Sequence, residues 1–299
     1  MRATVPLLTV LSLALSSSPL GAQSGYKLYI SVDLEGVVGV VTGDHLGPSG
    51  FEYASAREWV TNEVLAAIEG ARAAGATEFV ISDSHGNGEN LLLDRLPDDV
   101  TLIRAWPRPL MMMEGIDETF DAVIFIGYHS GTNNPRGVRA HTMSSGQLAG
   151  VYLNGVAVPE AAINAAIAGH FGVPVIMISG DDAIAEEART LLGDIETAVV
   201  KWAISYHSAR TLTPAAAYDL IREKARTAVE RIDDFQPYII ERPITFDVTF
   251  KNYRPSEVLA FLPIVERTDS HSIRFVGKDM IEVSRFFEFL LSYDGSLAP

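Results

Sequence analysis

The stretch LYISVDLEGVVGVV, Leu28 to Val41, decides the fold, and it does so through a conflict. Its β-branched and aromatic residues read as the buried middle of a sheet, yet two carboxylates, Asp33 and Glu35, interrupt it at i, i+2 spacing. Alternate strand residues point the same way, so two like charges converge there. One of them must take up a proton unless something cationic lies between them.

Outward from that stretch, apolar runs alternate with amphipathic ones. TEFVISDSHG, VTLIRAW, FDAVIFIGYHSG and VPVIMISGDD read as strands, and the continuous runs FVIS and AVIFIG predict strands covered on both faces. YASAREWVTNEVLAAIEGARAAG reads as a long helix stopped by Gly75, PEAAINAAIAGHFG as a helix opened by Pro159, and AIAEEARTLLGD as a third. GVYLNGVAV carries Asn154-Gly155, a two-residue hairpin signal. This order predicts an α/β fold, a mainly parallel sheet with flanking helices. Beyond Thr197 the character changes. AVVKWAIS, ERPITFDVTF and SHSIRFVGK read as strands, and TPAAAYDLIREKARTAVERID and DMIEVSRFFEFLLSY as helices. The expected organisation is an α/β domain over 26–195, carrying the metal-binding and catalytic residues named below, and a smaller C-terminal α/β portion over 196–299, α+β in the order of its elements.

The 299 residues are 47% hydrophobic and 20% charged, enough to bury one large core or two smaller ones. Lys and Arg total 23 against 38 Asp and Glu, a net charge of −15 with no basic run, which disfavours nucleic acid as a partner. There is no cysteine, so disulfides, thiolate metal sites and cysteine nucleophiles are excluded. The first residues have one Arg, an apolar run from about Val5 to Leu15 and small residues ending near Ala22. That is the pattern of a secretory signal peptide over 1–22, and it predicts an exported protein, periplasmic or extracellular. No other run reads as a membrane span.

In an open α/β sheet, ligands bind beyond the carboxyl ends of the strands. The reactive side chains gather at those points: Asp33 and Glu35, then Asp83 and His85, then His129, with His141 in the following loop and Glu160 in the first turn of the helix after the hairpin. Asp181 and Asp182 after VIMISG read as helix-capping or turn residues. Three carboxylates and two histidines offer the oxygen and imidazole ligands that zinc and similar ions take. Five such ligands exceed the need of one tetrahedral ion, and a pair of ions bridged by one carboxylate would use them all.

SVDLEG, DSHG, GYHS, AHTM and VPEAAINAA, in that order, resemble the zinc D-aminopeptidase family of the DppA type. The resemblance runs from about Tyr26 to the closing helix. It implies a peptidase with two zinc ions per chain that removes N-terminal D-residues from short peptides. It also implies Asp33, Glu35, His85, His129 and Glu160 as metal ligands, Asp33 as the bridge, and His141 as the catalytic residue. Ring-shaped homo-oligomers, with a decamer as the candidate size and the sites facing an inner chamber, belong to the same expectation. His141 is flanked by Ala140 and Thr142 where the resemblance leads one to expect serines.

Together these readings point to metal-assisted amide hydrolysis, with His141 on a mobile loop and the glycine-rich HGNGEN and SGTNNPRG as either lids or plain turns. Lys201, a cation inside an apolar strand, reads either as a residue orienting a substrate carboxylate or as half of a structural ion pair. Two rivals stay open: another metallohydrolase such as a phosphoesterase or amidase, and an exported metal-binding protein without catalysis.

Overall fold

The computed structural model describes residue 1 and residues 25–293, so the leader assigned to 1–22 lies outside the described residues save for Met1. In chain order the elements are β1 (Tyr26–Val32), α1 (Tyr53–Ala73), β2 (Ala76–Asp83), β3 (Val100–Ile103), β4 (Ala122–Tyr128), β5 (Leu148–Leu153), β6 (Val156–Ala157), α2 (Glu160–His170), β7 (Val175–Asp181), α3 (Asp182–Leu192), β8 (Glu196–Ser205), β9 (Ser208–Thr211), α4 (Pro214–Glu230), β10 (Ile244–Phe250), α5 (Tyr253–Leu259), β11 (Val265–Asp269), β12 (Ser272–Gly277) and α6 (Met280–Ser292).

Seven strands form one sheet in the order β3-β2-β1-β4-β7-β8-β9, parallel throughout except for the edge pair β8–β9. Every residue of β4 and β7 is buried, as their unbroken apolar runs predict for strands covered on both faces. The α1 helix packs along α4, and α2 contacts α3 and α6. Five strands form a second, antiparallel sheet in the order β11-β12-β10-β5-β6. The Asn154-Gly155 hairpin forms as expected, with φ of 47° and 79° at its two central residues. Among the described residues no helix is long and apolar enough to cross a membrane.

The border between the sheets does not fall at residue 195. The β8 strand joins the parallel sheet, whereas β5 and β6, from the middle of the chain, pair with the C-terminal strands. Three short elements escape sequence reading: the edge strands β9 and β11, and α5. β9 buries no residue, and β11 buries only Val265, so neither shows an apolar alternation.

The order of the parallel strands reverses beside β1. From there β2 and β3 lie to one side, and β4, β7 and β8 to the other. The crevice at the carboxyl ends of β1 and β4 is therefore the switch point at which such sheets bind ligands. Asp33 directly follows β1 and His129 directly follows β4.

Candidate metal centre

The two carboxylates of the opening stretch do converge, but by a turn rather than by strand alternation. The β1 strand ends at Val32, and residues 34–39 form turns and bends. The Asp33 amide donates to the Ile126 carbonyl (2.8 Å) and that of Gly36 to the Gly127 carbonyl (2.7 Å), which seats this turn on the end of β4. Both glycines are required by the closeness of the two chains. A Cβ at Gly36 would lie 1.9 Å from the Tyr128 carbonyl oxygen, and one at Gly127 (φ +72°) would lie 2.3 Å from that of Asp33.

Asp33, Glu35, His129 and Glu160 are buried, and His85 and His141 are nearly so. The Asp33 oxygens face opposite imidazoles: Oδ1 lies 3.3 Å from His85 Nδ1 and Oδ2 lies 3.1 Å from His129 Nε2. Glu35 Oε2 lies 2.8 Å from His85 Nδ1, and Glu160 Oε1 lies 3.4 Å from His129 Nε2 and 3.7 Å from His141 Nε2. Glu160 is the first residue of α2, where the helix dipole favours a carboxylate. The rings of His129 and His141 stack at 4.1 Å, 10° from parallel. The six residues that the resemblance implies as ligands or as the catalytic residue thus meet in one crevice.

Each imidazole is anchored through its other nitrogen. His85 Nε2 lies 2.9 Å from the Leu46 carbonyl, His129 Nδ1 3.1 Å from that of Ser130, and His141 Nδ1 2.8 Å from that of Arg139. A carbonyl oxygen can only accept, so these nitrogens carry a proton and the opposite ones face the carboxylates. Between those nitrogens and the carboxylate oxygens a positive charge is required, either a second proton on each ring or a metal ion. Consistently, Asp33 Oδ2 and Glu35 Oε2 are buried without a hydrogen-bond partner, although imidazole nitrogens stand close to both, out of line for a bond. Burial alone would lower the His85 and His129 imidazoles, but the carboxylates, Glu35 foremost at His85 and Glu160 at His129, hold both well above their usual range. Burial would likewise raise Asp33 and Glu35, yet His129 and His85 keep Asp33 well below the usual carboxylate range, and His85 lowers Glu35. Ligand atoms of Asp33, Glu35 and His129 lie within 4.8 Å of one another, as do those of His129, His141 and Glu160. The residues therefore fit divalent cations: three carboxylates, imidazoles with fixed tautomers, and buried oxygens lacking donors.

The peptidase M55 family, D-aminopeptidase, matches residues 26–289. The chain belongs to this D-aminopeptidase family. A D-aminopeptidase of Bacillus subtilis (strain 168) is 36% identical over 258 residues, 86% of this chain and 93% of its own length. The solved structure of the Zn-dependent D-aminopeptidase DppA from Bacillus subtilis, a self-compartmentalizing protease, aligns with a TM-score of 0.85 at 33% identity, covering 89% of this chain and 96% of that one. The α/β fold is thus shared, and the family indicated by the five sequence motifs is the one found.

In this member of the D-aminopeptidase family, residues that sequence reading passed over or misassigned shape the centre. Lys201 is fully buried and donates to three backbone carbonyls, those of Glu35, Val37 (3.0 Å) and Val40 (2.5 Å). It tethers the metal-site turn and is neither a substrate clamp nor half of a hydrogen-bonded ion pair. Glu63 accepts from the Val38 amide (2.8 Å) in the same turn. Its signal was a carboxylate on the apolar face of α1, between Val60 and Val64. Asp83 stays out of the centre and accepts from Asn90 and the Leu91 amide. Asp181 caps α3 through the Ile184 amide, as expected, and also accepts from Val138 (2.7 Å).

The loop bearing His141 is tied by hydrogen bonds. Its Thr132 amide donates to Thr142 Oγ1, Gly131 and Asn134 donate to Glu187, and the Met143 amide donates to Glu160 (2.6 Å). HGNGEN is likewise a closed turn: the Gly88 amide donates to the His85 carbonyl, and Gly86 and Gly88 take φ of +54° and +68°.

Proposed function

We propose that this M55 family member is a zinc-dependent aminopeptidase that removes N-terminal D-residues from short peptides, with two zinc ions per chain. The observation that carries this reading is the two-sided disposition of Asp33, whose oxygens face His85 on one side and His129 on the other. A carboxylate can serve two cations at once, whereas a single imidazole nitrogen cannot. Asp33 with Glu35 and His85 would hold one ion, and Asp33 with His129 and Glu160 the other.

Zinc bound there supplies Lewis acidity toward the scissile carbonyl and an acidified water at neutral pH. The chain's own residues do the rest. The substrate's N-terminal amine would be received by a carboxylate oxygen left free or by the metal, which favours aminopeptidase over endopeptidase action. His141, with Nδ1 committed to the Arg139 carbonyl, leaves Nε2 free to hold or pass a proton beside the centre. Tight anchoring of its loop fixes that nitrogen relative to Glu160 and so keeps the proton path short. The self-compartmentalizing assembly of the Bacillus subtilis relative supports a ring-shaped homo-oligomer. The leader pattern over 1–22 supports an exported enzyme, which sequencing of the mature N-terminus from the exported fraction would test.

Matched D-Ala and L-Ala dipeptides, assayed with metal analysis, test the reading. The expected result is two zinc equivalents per chain and D-selective hydrolysis that a chelator abolishes and zinc restores. The His141→Ala variant should keep its zinc and lose about 10²- to 10⁴-fold in turnover. Hydrolysis that survives metal removal would overturn the mechanism. Loss of one zinc in His141→Ala would make His141 a ligand instead.

A further inference from the structure

A short peptide carries an ammonium at one end and a carboxylate at the other. On the aminopeptidase reading the amino end lies at the metal centre, so the carboxylate of a short peptide lies only a residue or two away, beside a cation or in water.

A cavity of about 430 Å³ opens on His141, with Thr132, Asn134, Ser145, Tyr206 and Lys251 among its walls. That volume suits a small ligand. No Asp or Glu lines it, and Lys251 is the one Lys or Arg among its lining residues. In a chain with a net charge of −15, a wall free of acid beside the catalytic centre is a notable local departure. Lys251 comes from the second sheet, just past β10, and its amide donates to the Gln147 carbonyl (2.8 Å). Its ammonium donates to the Ser145 carbonyl, four residues beyond His141. One neutral acceptor leaves two of its three N–H donors for a ligand, and no carboxylate pairs with Lys251 among the described residues. Arg139, nearer His141 in sequence, is not among the residues lining this cavity. Its guanidinium lies over the Tyr206 ring, 5.1 Å from the centroid, with Nη1 3.4 Å from His207 Nδ1.

We propose that Lys251 receives the C-terminal carboxylate of the substrate in a subsite of the cavity that opens on His141. This rests on the aminopeptidase reading and narrows its substrates to short peptides with a free carboxyl end. The centre takes one end and Lys251 the other, and each added residue lengthens an extended peptide by about 3.5 Å, so only a narrow range of lengths satisfies both.

The test uses the full-length, zinc-loaded protein and a D-Ala-D-Ala analogue with CH2–NH in place of the scissile amide, as free acid and as C-terminal amide. Calorimetry should find the acid bound at least about tenfold more tightly than the amide, the amount one charge-assisted hydrogen bond brings. Lys251→Met should bring that ratio to about one, and Lys251→Arg should retain a preference for the acid. General damage to the protein would not move an acid-to-amide ratio. A wild type indifferent to the C-terminal group, or an unchanged ratio in Lys251→Met, overturns the proposal. A wild type that shows the ratio but does not cleave D-Ala-D-Ala upholds the carboxylate subsite and sinks the aminopeptidase reading alone.

Discussion

Glu63 has no solvent exposure, and burial pushes its carboxyl up to about 8 from an ordinary 4.5, against the opposing effects of the Val38 amide and Lys201. An acid raised in this way stays protonated in the folded chain while the unfolded chain ionises it. Between about pH 4.5 and pH 8 the unfolded state thus binds fewer protons, and stability falls as pH rises through that window. The slope from this one group is up to about 1.4 kcal/mol per pH unit. Glu63→Gln keeps an acceptor for the Val38 amide and removes the titration. Thermal unfolding of this variant should lose that component of the pH dependence and show its largest gain over wild type above pH 8; an identical pH profile in the two proteins would contradict the assignment.

At the scale of elements, the centre depends on how closely the turn after β1 approaches the end of β4. A methyl at Gly36 would meet the backbone of β4, with the Tyr128 and Gly127 carbonyl oxygens at 1.9 and 2.6 Å, and backbone cannot swing aside as a side chain does. Gly36→Ala should therefore push Asp33 and Glu35 away from His129, giving a folded protein that holds less zinc by metal analysis. Gly43→Ala, where nothing lies within 4 Å, should retain wild-type zinc. Both glycines at the close approach stand inside quoted motifs, SVDLEG and GYHS with its preceding residues, but their reason lay in a partner strand about ninety residues away. The cluster of carboxylates and imidazoles was legible because such groups at strand ends are chemically expensive to bury without a purpose. Their convergence was legible as well, though for the wrong local reason, since a turn rather than alternate strand positions brings Asp33 and Glu35 together. Lys201 was visible as an anomaly in AVVKW, but its three carbonyl partners belong to a turn more than 160 residues earlier. The short edge strands and α5 left no periodicity to read.

For the whole molecule, the proposed zinc array exists only in the folded chain, so metal binding and stability would be linked. One site held at 100 times its dissociation constant adds about 2.7 kcal/mol. With roughly 2–4 °C per kcal/mol for a chain of this size, chelation should lower the melting temperature by at least about 5 °C, and added zinc should restore it. Scanning calorimetry before and after chelation measures this, and an unmoved melting temperature after verified zinc loss would count against a folding-linked centre. The interleaved sheets carry a further consequence. The β5–β6 hairpin, which lies between the His141 loop and Glu160, finds its partner β10 only through contacts such as that of Asn154 with Thr245, 91 residues later. A nascent polypeptide emerging from its amino end has synthesised every proposed ligand long before that partner strand exists. The hairpin beside the His141 loop thus gains its sheet partner only when synthesis is nearly complete.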